Sequence, residues 1–384
     1  MALGLSDRSS KLSHSEIRNM SVECEKVNGI NLSQGVCDLE LPLPVKQGAC
    51  DAIKNGENSY TRHDGTDELR NAIAIKTHAY NKINCDPEKN IVVSGGATGA
   101  FYSTCLALLN PGDEVIIFEP FYGYHVTTLL AAEAVPVYVT LKAPNWTFDL
   151  EDLENVITPR TKGILICTPS NPCGKVFSHG ELKLLASFSI KHDIFVFTDE
   201  IYEYFVYGKV AHISPGSLPE IADRTITISG YSKTFSITGW RIGYVICDEK
   251  WAKMIGYVND LVYVCGPSPL QAGVARGISQ LPEEFYTKLC AQYLNKRQQL
   301  CETLTTVGIT PHVPDGAYYV LADVTDIPGD SSKDKAMFLL KKTGVATVPG
   351  SAFFTSASGN DLVRFCFAKS NDILDEACER LSRL

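Results

Sequence analysis

Short runs of β-branched and apolar residues alternate, over the first three-quarters of the chain, with segments whose apolar positions recur at helical spacing. The runs lie at 90–94, 114–118, 135–141, 162–168, 194–198, 224–229 and 241–247, and the intervening stretches 97–109, 122–132 and 179–192 carry the three-to-four-residue period. Such strand–helix alternation predicts an α/β architecture, a mostly parallel central sheet covered by helices on both faces. Functional residues then belong in the loops beyond strand ends. After residue 280 the pattern changes to one long polar helix, 283–306, with fewer strands, 317–324 and 363–367, and helices near 332–343 and 371–383. This reads as a smaller α+β unit. The first 45 residues hold one helix-like stretch, the loop Asn-Leu-Ser-Gln-Gly-Val at 31–36 and a Pro-rich entry at 41–44. This arm is expected to pack on the second unit or on a partner subunit. The predicted division is therefore a large domain at 46–285 and a small, discontinuous one made of 1–45 and 286–384.

Composition narrows the ligands. The 384 residues carry 35 Lys and Arg against 44 Asp and Glu, a formal net charge of −9, and no run of five basic residues occurs. Nucleic acid and anionic membranes are thus poor partners, and small molecules become the expected ligands. Apolar stretches fall far short of the roughly 18 residues that span a bilayer. The N-terminal segment is polar and shows no secretory signal. Thirteen cysteines are scattered with no CxxC pair, and the eight histidines show no HExxH spacing, so neither a zinc ribbon nor a protein metal site is expected. Buried, reduced thiols in a cytoplasmic protein fit that usage.

Four strand-end segments carry candidate chemistry. In Ser-Gly-Tyr-Ser-Lys-Thr at 229–234, Lys233 has small neighbours that let a flat ligand approach. Burial lowers a lysine's pKa, and the free amine condenses with a carbonyl, so Lys233 is a Schiff-base candidate; a solvated surface lysine is the alternative. Arg241, eight residues on, offers a fixed cation for a phosphate. Ser-Gly-Gly-Ala-Thr-Gly-Ala at 94–100 follows a strand and opens a helix, where backbone N–H groups and the Thr98 hydroxyl can cradle a phosphate, although the GxGxxG spacing of dinucleotide sites is missing. Asn171, in Ser-Asn-Pro-Cys-Gly, sits in a turn beyond the sheet, which an ordinary Asn-Pro turn would also explain. Asp199 and Tyr202 leave a strand too apolar to be exposed, and a carboxylate there needs a cationic or donor partner.

In this order the four segments resemble the signature of fold-type I pyridoxal-phosphate enzymes, within the class I and II aminotransferase family. The resemblance runs from the loop at Gly35 to the strand at Arg364, and the TGWRIGY and SNPxG elements carry most of its specificity. It implies pyridoxal 5'-phosphate as cofactor, held as an aldimine on Lys233, which then moves the substrate's α-proton. It assigns Asp199 to the pyridine nitrogen, and Asn171 and Tyr202 to the ring's phenolic oxygen. Gly96, Ala97, Thr98 and Arg241 fall at the phosphate. Tyr122 falls over the ring face, with core packing as its alternative. Gly230 departs from members that carry Ser three residues before the lysine, so a hydroxyl there is either absent or supplied by Ser229 or Ser232. Tyr60 resembles the tyrosine that reaches the phosphate of the neighbouring subunit, which implies a homodimer with sites at the interface.

Arg364 alternates with apolar residues in a strand, where an unpaired guanidinium is costly. The resemblance gives it the substrate α-carboxylate, with Gly35 as a backbone contact or else a mere turn glycine, and implies closure of the second unit over the substrate. The expected reaction moves an amino group from an L-amino acid, aspartate or one of aromatic, glutamine or methionine type, to a 2-oxo acid. A carbon–sulfur β-lyase or a cyclising synthase on the same fold is the nearest alternative. No second Arg for a side-chain carboxylate falls in a diagnostic motif; Arg62 and Arg276 are candidates. A nicotinamide-dependent dehydrogenase is the distant alternative, since its nearest Tyr/Lys pair, Tyr138 and Lys142, falls on a strand that holds the two too far apart. A non-enzymatic descendant that binds the cofactor is opposed by the intact Lys233, Asp199 and Arg364.

Overall fold

The computed structural model describes residues 4–12 and 15–384. The N-terminal arm forms the helix Glu16–Lys26 and the short strand β1 (Ile30–Asn31), which runs parallel to a strand of the C-terminal part, Val345–Ala346. Met20, Cys24, Ile30 and Leu32 are buried in the core of that C-terminal part, so the arm packs on the second unit.

The central sheet has seven strands: β2 (Ile91–Gly95), β3 (Glu114–Glu119), β4 (Val135–Thr140), β5 (Thr161–Cys167), β6 (Phe195–Asp199), β7 (Thr225–Gly230) and β8 (Ile242–Ile246), in the order β2-β8-β7-β6-β5-β3-β4. Only the β2–β8 and β7–β8 pairings are antiparallel. The reason is the link from β7 to β8, which is too short for a crossover helix and holds only one turn of 3₁₀ helix, Thr238–Trp240. Alternate side chains feed two cores. Ile116, Phe118, Ile164, Ile166 and Val196 face one side against Phe177, Leu182 and Phe188, while Val115, Ile117, Leu165, Phe197 and Ile228 face the other against Phe101, Leu129 and Ile255. Burial on both faces is why these strands read as continuous apolar runs.

The four-stranded sheet of the second unit has the order β12-β13-β10-β9, from β9 (Thr310–His312), β10 (Tyr319–Asp323), β12 (Val348–Pro349) and β13 (Leu362–Cys366), with Val345–Ala346 as β11. Its long helix is Glu283–Thr306, at the expected bounds. Two strands start later than expected for one reason: Ala317 and Arg241 have φ near +58°, a left-handed turn that no strand accommodates. Four helices of ten or more residues lie where no helix was assigned from sequence, Leu43–Lys54, Asp67–Lys76, Glu249–Tyr263 and Ser268–Gln280. The first and last of these cross closely at glycine, since a Cβ on Gly48 would lie 2.9 Å from the Gly273 Cα. Ile201, Tyr202, Phe205 and Tyr207, just beyond β6, join the second unit's core. Among the described residues no helix is long and apolar enough to cross a membrane.

Candidate active site

The parallel strands deliver the ends of β2, β3, β5, β6 and β7 to one edge of the sheet, where a cavity of about 470 Å³ opens. Its walls come from those strand ends, from the arm at Gln34–Val36 and from Tyr319 and Arg364 of the second unit.

At one end β2 turns into the helix Gly96–Leu108, whose N-cap Gly95 carries no side chain to satisfy the first N–H groups. Ala97 and Thr98 line the cavity there. The Arg241 guanidinium donates to the Gly95 carbonyl (3.1 Å) and the Thr238 carbonyl (2.9 Å), and a Cβ on Gly96 would collide with it. Free N–H groups, a helix N-terminus and a held cation make a cup for an anion. Ser232 lines the cavity, whereas Ser229 is turned beneath it, its hydroxyl donating to the Glu200 carbonyl (3.2 Å) and to the Glu203 carboxylate (3.3 Å). Position 230 has no room for a side chain, because a Cβ would lie 2.9 Å from the Gly243 Cα and the Ile242 carbonyl oxygen.

Lys233 projects from the loop after β7 and donates from Nζ to the Gly35 carbonyl (3.0 Å). Burial of the amine pushes its pKa below the usual lysine value. Its Nζ lies 6.0 Å from the ring centres of both Tyr202 and Tyr318. Asp199 closes the far end. It is 8% exposed, one oxygen accepts from the Ile201 N–H (3.2 Å), and the other lies 2.7 Å from His125 Nε2. Histidine 125 thus answers the partner requirement, and no motif pointed to it. The available signal was helical spacing, because His125 shares with Leu129 the buried side of the helix Gly123–Ala131. Tyr122 packs edge-on to His125 and is stacked on Tyr124 with ring centres 5.3 Å apart.

The Tyr202 hydroxyl meets that of Tyr319 at 3.0 Å, and burial raises the pKa of both. Asn171 accepts at Oδ1 from Arg364 Nη1 (2.8 Å), which leaves its NH₂ end for a ligand. Arg364 is 1% exposed, donates also to the Ser33 carbonyl, and lies over the rings of Tyr319 (4.2 Å) and Phe353 (4.9 Å). Its Nε is buried without a partner. Among the described residues no carboxylate neutralises it. Gly35 must be glycine here, since a Cβ would overlap the Tyr319 hydroxyl.

Five positions weighed from the sequence stand apart from the cavity. Tyr60 is 83% exposed and outside this chain's own cavity. Arg62 is tied to Asp64 and Glu88, and Arg276 to Asp51, so neither faces the cavity. Lys142 is engaged by Asp149 and Asp152, and neither it nor Tyr138 lines the site. Behind the wall, Glu200, Glu203 and His212 bring ligand-type atoms within 4.8 Å of one another. Lys76 and Asn81 donate to Glu203, and Thr198 and Ser214 to Glu200, so internal donors already engage both carboxylates.

Anion cup, low-pKa amine, buried carboxylate and aromatic wall together fit pyridoxal phosphate, with a guanidinium left for a carboxylate beside it. The family model for aminotransferase class I and II matches residues 27–381. The chain is 35% identical over 380 residues to rat (Rattus norvegicus) kynurenine–oxoglutarate transaminase 3, covering 91% of this chain and 84% of that one. It superposes on the Mycobacterium tuberculosis N-succinyldiaminopimelate aminotransferase with a TM-score of 0.95 at 33% identity, over 99% of each chain. It superposes equally, at 28% identity and over 100% of each chain, on an Escherichia coli protein with a methionine aminotransferase function. The chain belongs to the class I and II aminotransferases and is a pyridoxal-phosphate-dependent transaminase.

Proposed function

We propose that Lys233 binds the cofactor covalently and then carries the α-proton of an L-amino acid whose carboxylate is held by Arg364. The observation that carries this reading is the convergence in one cavity of an amine with lowered pKa and a buried guanidinium lacking a carboxylate. Pyridoxal phosphate, when bound, supplies a ring that draws electrons from the bond being broken at the substrate's Cα. Asp199, oriented by His125, keeps the ring nitrogen protonated. Asn171 and Tyr202 donate to the phenolic oxygen, and Tyr122 covers the ring face. Gly96, Ala97, Thr98 and Arg241 hold the phosphate, and of the two serines Ser232 is the one that supplies a hydroxyl. The Lys233 amine, held by its hydrogen bond to the Gly35 carbonyl, would take the proton from Cα and return it elsewhere.

The domain at 46–285 holds the cofactor, and the discontinuous unit made of 1–45 and 286–384 closes on the substrate and excludes water. The chain works in the cytoplasm as a homodimer, Tyr60 reaching the partner's phosphate. Support for the dimer comes from the exposure of Tyr60, and of Tyr257, Leu261, Val262 and Val264 along and just beyond the helix Glu249–Tyr263. The amino donor is aspartate or an amino acid of aromatic, glutamine or methionine type.

The test is a panel of donors against 2-oxoglutarate, pyruvate and oxaloacetate, scored for keto acid and ammonia. Keto acid without ammonia is expected; ammonia would mark an eliminating enzyme. Lys233→Ala should bind the cofactor without a covalent bond, and a colourless wild-type protein unchanged by added pyridoxal phosphate would overturn the reading.

A further inference from the structure

The hydroxyl pair Tyr202–Tyr319 joins the two units of the fold. Tyr202 follows β6 of the central sheet, and Tyr319 is the first residue of β10 in the smaller sheet. There Tyr319 pairs with Cys366, so Arg364, two residues back along β13, shares its face, and the guanidinium lies 4.2 Å from the Tyr319 ring centre. The Tyr319 hydroxyl fills the space that a Cβ on Gly35 would take, and from there it meets the Tyr202 hydroxyl at 3.0 Å. Both side chains are buried, and both line the cavity.

A phenol has one proton to donate and two lone pairs with which to accept. Were Tyr202 the donor of the pair, its proton would be committed to Tyr319. The Tyr319 proton would then lack an acceptor, because the neighbouring Gly35 carbonyl already accepts from Lys233 (3.0 Å) and from Tyr318 (3.1 Å). With Tyr319 as the donor, the Tyr202 proton is free for an oxygen in the cavity. Arg364 favours this order, since a cation beside a phenol makes it the stronger donor: burial raises the Tyr319 pKa, and Arg364 acts against that rise. Lys233 Nζ stands farther from Tyr202, 6.0 Å from its ring centre. The other titratable groups facing the pair, Tyr122, Tyr318, Cys37, Cys167 and Cys366, carry no positive charge in either protonation state.

We infer that Tyr319 is a positioning residue for the transamination: it donates to the Tyr202 hydroxyl and so turns the Tyr202 proton onto the phenolic oxygen of pyridoxal phosphate. The inference rests on the reading that Tyr202 meets that oxygen. Two hydroxyls in line polarise each other, so the bond from Tyr202 is stronger than one from a lone tyrosine. A bond donated to the phenolic oxygen stabilises its negative charge and lowers the pH at which the bound cofactor loses its proton.

The test is a pH titration of the visible absorbance of the holoenzyme. Tyr319→Phe keeps the ring over Arg364 and removes only the hydroxyl; its midpoint should rise by about 0.5–1 pH unit, the equivalent of one hydrogen bond. Tyr202→Phe should raise the midpoint at least as far, and the double variant no further than Tyr202→Phe alone. As a second readout, the apo-form of Tyr319→Phe should bind pyridoxal phosphate about 3- to 10-fold more weakly than the wild type does, and should bind 3-deoxypyridoxal phosphate, which lacks the phenolic oxygen, equally well. A Tyr319→Phe midpoint within about 0.2 pH unit of the wild type, or shifts that add in the double variant, overturns the inference. An equal loss of affinity for both compounds marks a merely structural role and overturns it as well. Failure of the underlying reading looks different: Tyr202→Phe then leaves the midpoint where it was, and the inference falls with it.

Discussion

Replacing Arg364 by Met should separate stability from function. In the cofactor-free protein the guanidinium is almost fully buried and makes two hydrogen bonds to neutral acceptors, Asn171 Oδ1 and the Ser33 carbonyl. Hydrogen bonds from a charged donor contribute about 1.5–3 kcal/mol each. Its position over Tyr319 and Phe353 adds about 0.5–2 kcal/mol per ring. Against these stands a dehydration cost of several kcal/mol for a buried ion without a counter-charge. The opposing terms are of similar size, and Met keeps the apolar stem. The substitution should therefore move the melting temperature of the apo-protein by only about 5 °C in either direction. The substrate tells a different story. A carboxylate held by two charge-assisted bonds loses about 3–6 kcal/mol of gross interaction, so kcat/KM should fall by about 10²- to 10⁴-fold. Because every α-amino acid carries that carboxylate, the fall should be similar for all donors. Stopped-flow absorbance of the bound cofactor under single-turnover conditions reads the rate, and differential scanning fluorimetry reads the melting temperature. A fall of less than about tenfold in kcat/KM, or a melting temperature lowered by more than about 10 °C, would refute the reasoning.

His125→Ala should strip the buried Asp199 carboxylate of its partner at 2.7 Å, costing about 1–3 kcal/mol of apo-protein stability and speeding cofactor loss in dialysis. A cofactor retained as firmly as in the wild type would show that His125 does not orient the carboxylate. Gly230→Ser should destabilise by about 1–3 kcal/mol through overpacking against β8, and fluorescence titration should show weaker phosphate anchoring, despite the added hydroxyl. Tighter binding of pyridoxal phosphate would mean that β8 yields. The pH dependence of Lys233 has a definite sign. Its folded pKa lies below the unfolded value near 10.5, so the unfolded chain binds the extra proton between the two, and the apo-protein gains stability from this group as pH rises through that window. Covalent capture of pyridoxal phosphate, trapped by borohydride and counted by mass spectrometry, should have its midpoint below 10.5; a midpoint at or above it would contradict burial of the amine.

The legible parts of the fold were those in which one physical demand controls the sequence. Strands buried on both faces must be apolar throughout, and their positions could be read to within a residue or two, as could the helix Glu283–Thr306. Where two demands compete, the sequence was harder to read. The helices Leu43–Lys54 and Ser268–Gln280 carry Gly48, Gly273 and Gly277, which weaken the helical signal yet permit the close crossing. The reversal of β8 follows from the length and path of a loop and has no signature in the strand itself. The site divides the same way. Lys233, Asp199 and Asn171 sit in motifs at strand ends and Arg364 stands out as a charge within an apolar strand, whereas His125 lies on a helix and acquires its position only from tertiary packing.

That division also explains how an acidic chain can hold an anionic cofactor and anionic substrates. The net charge of −9 is spread over a surface where water and salt screen it within about 8–10 Å. The cavity is lined by Arg18, Lys233, Arg241 and Arg364, with Asp199 as the single carboxylate among its described lining residues. Its walls are aromatic and of low dielectric, so these few charges interact with a bound anion far more strongly than the surface carboxylates do. Each cation is placed by a different element: the arm, the loop after β7, the left-handed turn before β8 and the strand β13. Burying all of them as mutual neighbours would be prohibitive. Spread around one cavity, they stand at separate places, Arg241 at the anion cup and Arg364 against Tyr319, where on the proposed reading they would meet separate parts of their ligands.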